Sequence, residues 1–561
     1  MLGAAPTLAI AVLAGPILVG LLATVLPAFG YFPVLGGVSF SLDPWREFFA
    51  MPGIVRSALV SLAAGLVTPL VALVAVAAFM AGWSHTRLFR SVLHLVSPLL
   101  SVPHAAAAFG LAFLLAPSGW LMRLVSPELT GFTRPPDWLV VHDQLGLAMM
   151  AGLVVKEIPF LFLMALAALP QARPRDHAMT ATSLGYGRMA GFLHAVWPQV
   201  YPQIRLAVFA VIAYSSSAVD IAIILGPTNP ATLSVRLVSW MNDPDLAMRF
   251  LASAGALAQL GVTALALAIW IAGERLVSAL HRALIVSGRR LARDRSLRLV
   301  SAGALSLAAM VVFAGLGLLG LWSFAGYWAF PDAMPETLTL DTWRRQLPTL
   351  GRTFAITVAI GLAATLAAMV IALACLERET RTGERARGRA LTVLYLPLIV
   401  PQASFVFGLQ LAFLWAGLGA SFAALVLAHL VFVLPYVLLS LTEPWHAADP
   451  RHARAARSMG ASQSLVFWRI RAPMALASIL VAAAIGFAVS VGQYLPTLLV
   501  GAGRWPTVTT EAVALASGGD RRVIGVFAFV QMGLPFLGFL LATTIPAIAF
   551  ARRRDMRAAS R

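Results

Sequence analysis

The chain has 561 residues, 60% of them hydrophobic and 11% charged, against about 25% charged in a soluble domain. Its net charge is +18, but the arginines fall in short segments between apolar runs and form no basic stripe interleaved with aromatics. That points to membrane orientation and away from a nucleic-acid partner. The single cysteine, Cys375, lies inside an apolar run and excludes an internal disulfide.

The apolar runs predict an all-α polytopic membrane protein with about twelve transmembrane helices in a lipid bilayer. Runs of roughly 20 residues can each cross a bilayer as a helix. They are continuous, not alternating, which disfavours a β-barrel. Spans are predicted at 8–29, 54–81, 91–115, 145–168, 205–226 and 250–273, then 300–320, 352–376, 392–416, 421–442, 475–500 and 524–550. The first run is longer than a signal-peptide core and has no basic segment before it, so it reads as a helix. Arginine concentrates after alternate spans: Arg87 and Arg90; Arg173, Arg175 and Arg188; Arg275 to Arg298; Arg378 to Arg389; Arg451 to Arg471; and Arg552, Arg553 and Arg554 in the tail. Arginine is sparser in the opposite loops, where Arg344, Arg345, Arg521 and Arg522 stand. The positive-inside rule places the arginine-rich loops, and both termini, in the cytoplasm.

The chain repeats itself. Leu42, Asp43, Trp45, Arg46, Pro103 and Gly110 match Leu340, Asp341, Trp343, Arg344, Pro401 and Gly408 at an offset of 298. Gly185, Pro198 and Gly226 match Gly460, Pro473 and Gly501 at 275, and Arg249, Gln259 and Gly261 match Arg521, Gln531 and Gly533 at 272. The expected division is a first repeat over 1–273, an arginine-rich cytoplasmic linker over 274–299 and a second repeat over 300–561. Six spans per copy make the repeats parallel, about a pseudo-twofold axis along the membrane normal.

The loop after the fourth span of each copy carries a shared pattern. Ala453, Ala456 and Met459 match Ala178, Ala181 and Leu184, at spacings that place them on one helical stripe. Gly460 and Gly185 follow, where a helix stop is expected, and a second short helix runs to Pro473 or Pro198. Arg451, Arg454 and Arg457 form an adjacent stripe that the first copy lacks. Small side chains let another surface come close, so the face both copies keep reads as a docking element. An ordinary interfacial loop is the plainer alternative.

These residues resemble the cytoplasmic loop of inner-membrane permeases of binding-protein-dependent ABC importers: E-A-A, three residues, G, nine residues, I-x-L-P. Arg454-Ala455-Ala456, Gly460 and Ile470-Arg471-Ala472-Pro473 keep every spacing. Met179-Thr180-Ala181, Gly185 and Ala195-Val196-Trp197-Pro198 keep them in the first copy. The family glutamate is replaced by Arg454 and Met179. The fused two-copy arrangement is similar to permeases for thiamine and for ferric iron. The resemblance implies a bacterial inner-membrane importer, a separate ATPase dimer with one loop per subunit, a periplasmic solute-binding protein and alternating access. No cofactor is expected. The only lysine is Lys156, followed by Glu157, so the chain has no Walker A loop. ATP hydrolysis would belong to another polypeptide, and this chain would be no enzyme.

Ionisable groups at membrane depth need a reason. Lys156 and Glu157 stand just before Pro159, and as neighbours on a helix they should find different partners. A structural pair or a kink-filling role is expected of them. Asp220 follows Ser215, Ser216 and Ser217, and the matching stretch holds Ser490, Gln493 and Tyr494. These two clusters are the candidate solute path, with helix–helix glue as the alternative. His104 and Gln402 match after Pro103 and Pro401. No second His or Cys stands at ligand spacing near His104, so a packing role and no metal site is expected there.

Two other classes remain open at this level. An ion-coupled secondary transporter with six plus six helices would rely on Asp220 and Glu157, which are not symmetric. A membrane scaffold would explain neither the duplicated loop nor the buried polar clusters. Acids in the extracytoplasmic loops (Asp43, Glu47, Asp243, Asp245, Asp332, Glu336) favour a cationic solute, such as thiamine, another small cation or ferric iron.

Overall fold

The computed structural model describes residues 2–288, 290, 294–383 and 389–550. Arg552, Arg553 and Arg554, and residues 289, 291–293 and 384–388 of two arginine-rich loops, lie outside the described residues. Twelve helices organise the chain: α1 (Ala5–Ala28), α2 (Ile54–Trp83), α3 (His104–Leu115), α4 (Leu147–Ala168), α5 (Trp197–Ser217), α6 (Met248–Val286), α7 (Arg295–Phe324), α8 (Asp341–Thr382), α9 (Gln402–Trp415), α10 (Phe422–Ala447), α11 (Leu476–Gly492) and α12 (Arg521–Ala549). Among the described residues nine helices are long and apolar enough to cross a membrane, and eleven spans result if two sharply bent pairs count as one each. Helices close their own backbone hydrogen bonds, which hydrocarbon requires. The chain is a polytopic membrane protein.

Four expected spans are interrupted, in matched pairs. The run 91–115 divides into Arg87–Val96, the turn Ser97–Ser101 and α3. The run 392–416 divides into Arg389–Ile399 and α9, with a bend of 94°. Pro103 and Pro401 stand at these breaks, just before each new helix; proline has no N–H to continue a ladder. The run 205–226 ends its helix at Ser217 and resumes as Asp220–Leu225, while 475–500 ends at Gly492 and resumes as Leu495–Gly501. Unwound backbone at membrane depth is tolerated where protein surrounds it. Ala218, Val219 and Tyr494 are all buried.

The stretch expected as a linker, 274–299, is mostly helix. α6 continues to Val286 and α7 begins at Arg295. No proline or glycine interrupts 274–286, and the stop comes near Gly288, whose φ is +67°.

The first helix of each half crosses to the other. α1 packs along α9 and α8, and α7 packs along α3, α2 and α4. Glycines permit the close approach. A Cβ on Gly408 would strike the carbonyl oxygen of Gly20, and one on Gly110 would come within 2.8 Å of the Gly315 backbone. The two crossings lie at matching places.

Candidate functional site

The two loops expected to dock a partner repeat in conformation as well as in spacing. A helix, Pro174–Ser183 or Pro450–Ser458, ends at Gly185 (φ +83°) or Gly460 (φ +86°). Glycine takes this left-handed backbone without steric cost. A second short helix follows, Arg188–Gly191 or Gln463–Val466, and each opens into a π-helical turn, Phe192–Val196 or Phe467–Arg471. The two turns stand 275 residues apart.

Three of the four stripe alanines do not face outward. Ala453 and Ala456 are buried with Val466, and Ala461 and Ile470 pack against them. Ala181 is buried, 2.9 Å from where a Cβ on Gly191 would lie. The small residues let the two short helices of one loop close on each other. Ala181, Ala453 and Ala456 are therefore not available to a partner, while Ala178, Leu184 and Met459 of the same stripes stay exposed. Ala178, Arg454, Ala455 and Pro198 are exposed, and Pro473 is half-buried. At the tips, the matched Leu184 and Met459 are 50% and 82% exposed. Trp468, which sequence reasoning passed over, is 69% exposed in the second π-helical turn.

Each loop is anchored to the helices above it. In the second, Arg471 Nη1 donates to Glu377 Oε2 at 3.0 Å, and Arg381 Nε donates to the same carboxylate at 2.6 Å. In the first, Met189 N donates to Asp294 Oδ2 at 2.7 Å, just ahead of α7. Arg188 donates to the Ser84 carbonyl. The first loop is thus held by the stretch expected as the linker.

In the middle of the bundle Lys156 and Glu157 turn to different partners. Lys156 Nζ donates to the carbonyls of Leu99 and Leu100, at 3.0 and 3.2 Å, in the turn Ser97–Ser101. Glu157 Oε1 meets His104 Nε2 at 3.2 Å. The His104 ring lies 4.6 Å from that of Tyr214, whose hydroxyl donates to Asp220 Oδ1 at 3.1 Å. His104 therefore does more than fill space. From the other half, Tyr436 lies within electrostatic range of Glu157, and Tyr494 within that of Asp220. Gln402 donates to Gln493 at 3.4 Å.

The serines of the expected path divide from the acids. Ser217 Oγ donates to the Ala213 carbonyl, and Ser216 bonds Thr263 on α6 at 2.8 Å. Ser490 bonds His429 Nδ1 at 2.8 Å, and His429 Nε2 meets Thr497 Oγ1 at 2.9 Å. These are ties between and within helices. Ser215 is buried and its Oγ has no hydrogen-bond partner. Tyr214, Tyr436 and His429 were missed in the sequence; the nearest signal was Pro435, which sits in α10 as Pro159 does in α4.

A helical bundle with crossed halves, a polar centre drawn from both and paired loops at one end defines a membrane transport subunit. Residues 364–555 match the family described as "Binding-protein-dependent transport system inner membrane component". The chain is 31% identical over 508 residues to the inner membrane ABC transporter permease protein YnjC of Escherichia coli strain K12, covering 90% of this chain and 91% of that one. It is 24% identical over 183 residues to the spermidine/putrescine transport system permease protein PotC of Haemophilus influenzae, covering 33% of this chain and 71% of PotC. It is 28% identical over 148 residues to the molybdenum transport system permease protein ModB of Azotobacter vinelandii, covering 24% and 66%. The chain belongs to the binding-protein-dependent ABC transporter permeases, and is a multi-pass inner-membrane protein. That membership sets aside the secondary-transporter and scaffold readings.

Proposed function

We propose that the chain forms the whole solute pathway of an importer, with its two halves acting as parallel repeats about one axis. Separate ATPase subunits dock on the two loops, and a periplasmic binding protein delivers solute at the opposite end. Both termini then lie on the cytoplasmic side. Closure of the ATPase pair brings the loops together and rocks the halves, exposing the polar centre to each side in turn. The solute is a small cation, with thiamine the first to test and ferric iron the second. The names of the relatives do not decide this, since PotC is a spermidine/putrescine permease and ModB a molybdenum permease.

The observation that carries the coupling reading is the matched loop: left-handed glycine, exposed apolar tip and π-helical turn at the same offset in both halves. Gly460→Pro tests it, because proline fixes φ near −65° where this backbone needs +86°. Met459→Glu tests the tip without touching the backbone. Both variants should insert and fold while losing solute-stimulated ATP hydrolysis in the assembled complex. Normal stimulation in both would contradict the reading.

A further inference from the structure

The last helix of each half packs along the third helix of the other: α12 on α3, and α6 on α9. Arg521 and Arg249, which match in the repeat, stand at the starts of α12 and α6. Their guanidinium groups meet different surroundings. Arg521 Nη1 donates to the Ser118 carbonyl at 2.9 Å, Nη2 donates to the Ser118 hydroxyl, and the group lies over the rings of Phe113 and Trp322. Arg249 Nε is buried and has no hydrogen-bond partner.

The sequence explains the difference. Phe113 stands three residues past Gly110, but three past the matched Gly408 stands Leu411, which has no ring. Ser118 lies in the loop past α3, while the loop past α9, Ala416 to Ala420, carries no hydroxyl. Where Arg521 closes its seam, Arg249 lines a cavity of about 260 Å³ between the halves. Asn242 and Asp243 line it from the first half, and Gln410, Leu411 and Leu498 from the second. Asp243 Oδ1 accepts from Asp245 N at 2.9 Å, and among the described residues Asp243 and Arg249 form no ion pair.

We propose that this cavity binds a small apolar amino acid, with its carboxylate on Arg249 and its ammonium group toward Asp243. The bound molecule completes the α6–α9 seam as Arg521 completes the α12–α3 seam. The site lies at the end of the bundle away from the two matched loops, and the proposal holds whatever solute the central pathway carries.

Three features select this class. A buried charged donor with no acceptor is costly, and a guanidinium fork matches a carboxylate in shape. Arg249 offers donors only, while Asp243 offers acceptors, so the ligand must present both kinds of group. The leucine walls suit an apolar body, and the volume lies below the roughly 300–1,000 Å³ of sites for drug-sized ligands.

The test is equilibrium binding to the full-length chain, with any copurifying subunits, in lipid nanodiscs. The probes are leucine, isocaproate (leucine without its amino group) and isoamylamine (leucine without its carboxyl group). Leucine should bind about tenfold more tightly than either. Arg249→Gln and Asp243→Asn should each weaken leucine binding by about tenfold. Leu411→Phe, which restores the missing ring and fills the cavity, should abolish it. A single symmetric size-exclusion peak shows that each variant is folded. Leucine bound no more tightly than isocaproate or isoamylamine, or bound equally by folded Arg249→Gln, overturns the proposal. No leucine binding, together with capture of a periplasmic protein by a crosslinker on Arg249→Cys, assigns the carboxylate to that protein and overturns it as well.

Discussion

Arg471, the last residue of the second π-helical turn, reaches Glu377 near the end of α8 at 3.0 Å. Glu377 is buried and also receives Arg381. The second of the two matched loops is therefore tied by one carboxylate to a helix that runs through the bundle. Removing Glu377 leaves Arg381 and Arg471 partly exposed to solvent, so the lost charge-assisted hydrogen bonds cost about 1–3 kcal/mol. Glu377→Ala should loosen the loop, raising amide exchange across 450–473 and reducing ATPase stimulation. Exchange rates equal to those of wild type would show that the tie carries no load.

The glycine crossings make a prediction about assembly of the halves. Gly408 and Gly20 touch backbone to backbone, and a side chain at 408 has no space. Gly408→Leu must push α1 off α9, so little folded protein should survive detergent extraction. Gly417→Ala, at a turn with open space around it but a φ of +71°, should cost only about 1–2 kcal/mol. Size-exclusion profiles of the two variants separate these effects; equal behaviour would contradict the crossing.

At the end away from the docking loops, Arg123 binds one half to the other. Its guanidinium donates to the carbonyls of Ser118, Ala329 and Asp332, and lies over the rings of Trp322, Trp328 and Phe330. Lysine keeps the charge but not the fork or the planar stack. Arg123→Lys should lower stability by about 1–3 kcal/mol and open 325–340 to proteolysis. An unchanged cleavage pattern would contradict the clamp.

His194 in the first π-helical turn stacks on His281 of α6, with centroids 4.8 Å apart. Burial first, and the neighbouring His281 second, hold the His194 imidazole below its ordinary value of about 6.5. The folded protein therefore binds this proton more weakly than the unfolded chain does. The contribution of the stack is complete above about pH 6.5 and is lost as pH falls below it. Melting temperature should drop between pH 7.5 and about 5.5, and His281→Gln should flatten that drop. Parallel curves for variant and wild type would rule the stack out as the cause.

Much of the fold was legible because lipid demands long apolar helices and hydropathy records them. The breaks at Pro103 and Pro401 were not, because averaging over a window hides one missing N–H inside an apolar run. The matched conformation of the two loops was legible from the spacing of Gly185, Gly460, Pro198 and Pro473. The direction of the alanine stripe was not: helical periodicity says that Ala453 and Ala456 share a face, but Val466 and Ile470, which cover it, fold back from the next helix. Asp220 stood out as a lone acid in oil. Its companion Tyr214 is an ordinary residue in its own segment, and only the folded chain brings it between Asp220 and His104.

The most direct test of the coupling claim is crosslinking from the two exposed tips. With Cys375 replaced by serine, single cysteines at Leu184 and at Met459 are treated with a short bifunctional reagent in native membranes, with and without ATP. Each position should capture a nucleotide-hydrolysing subunit, with yields that change together when ATP is added. Capture of no such subunit from either tip would contradict the account.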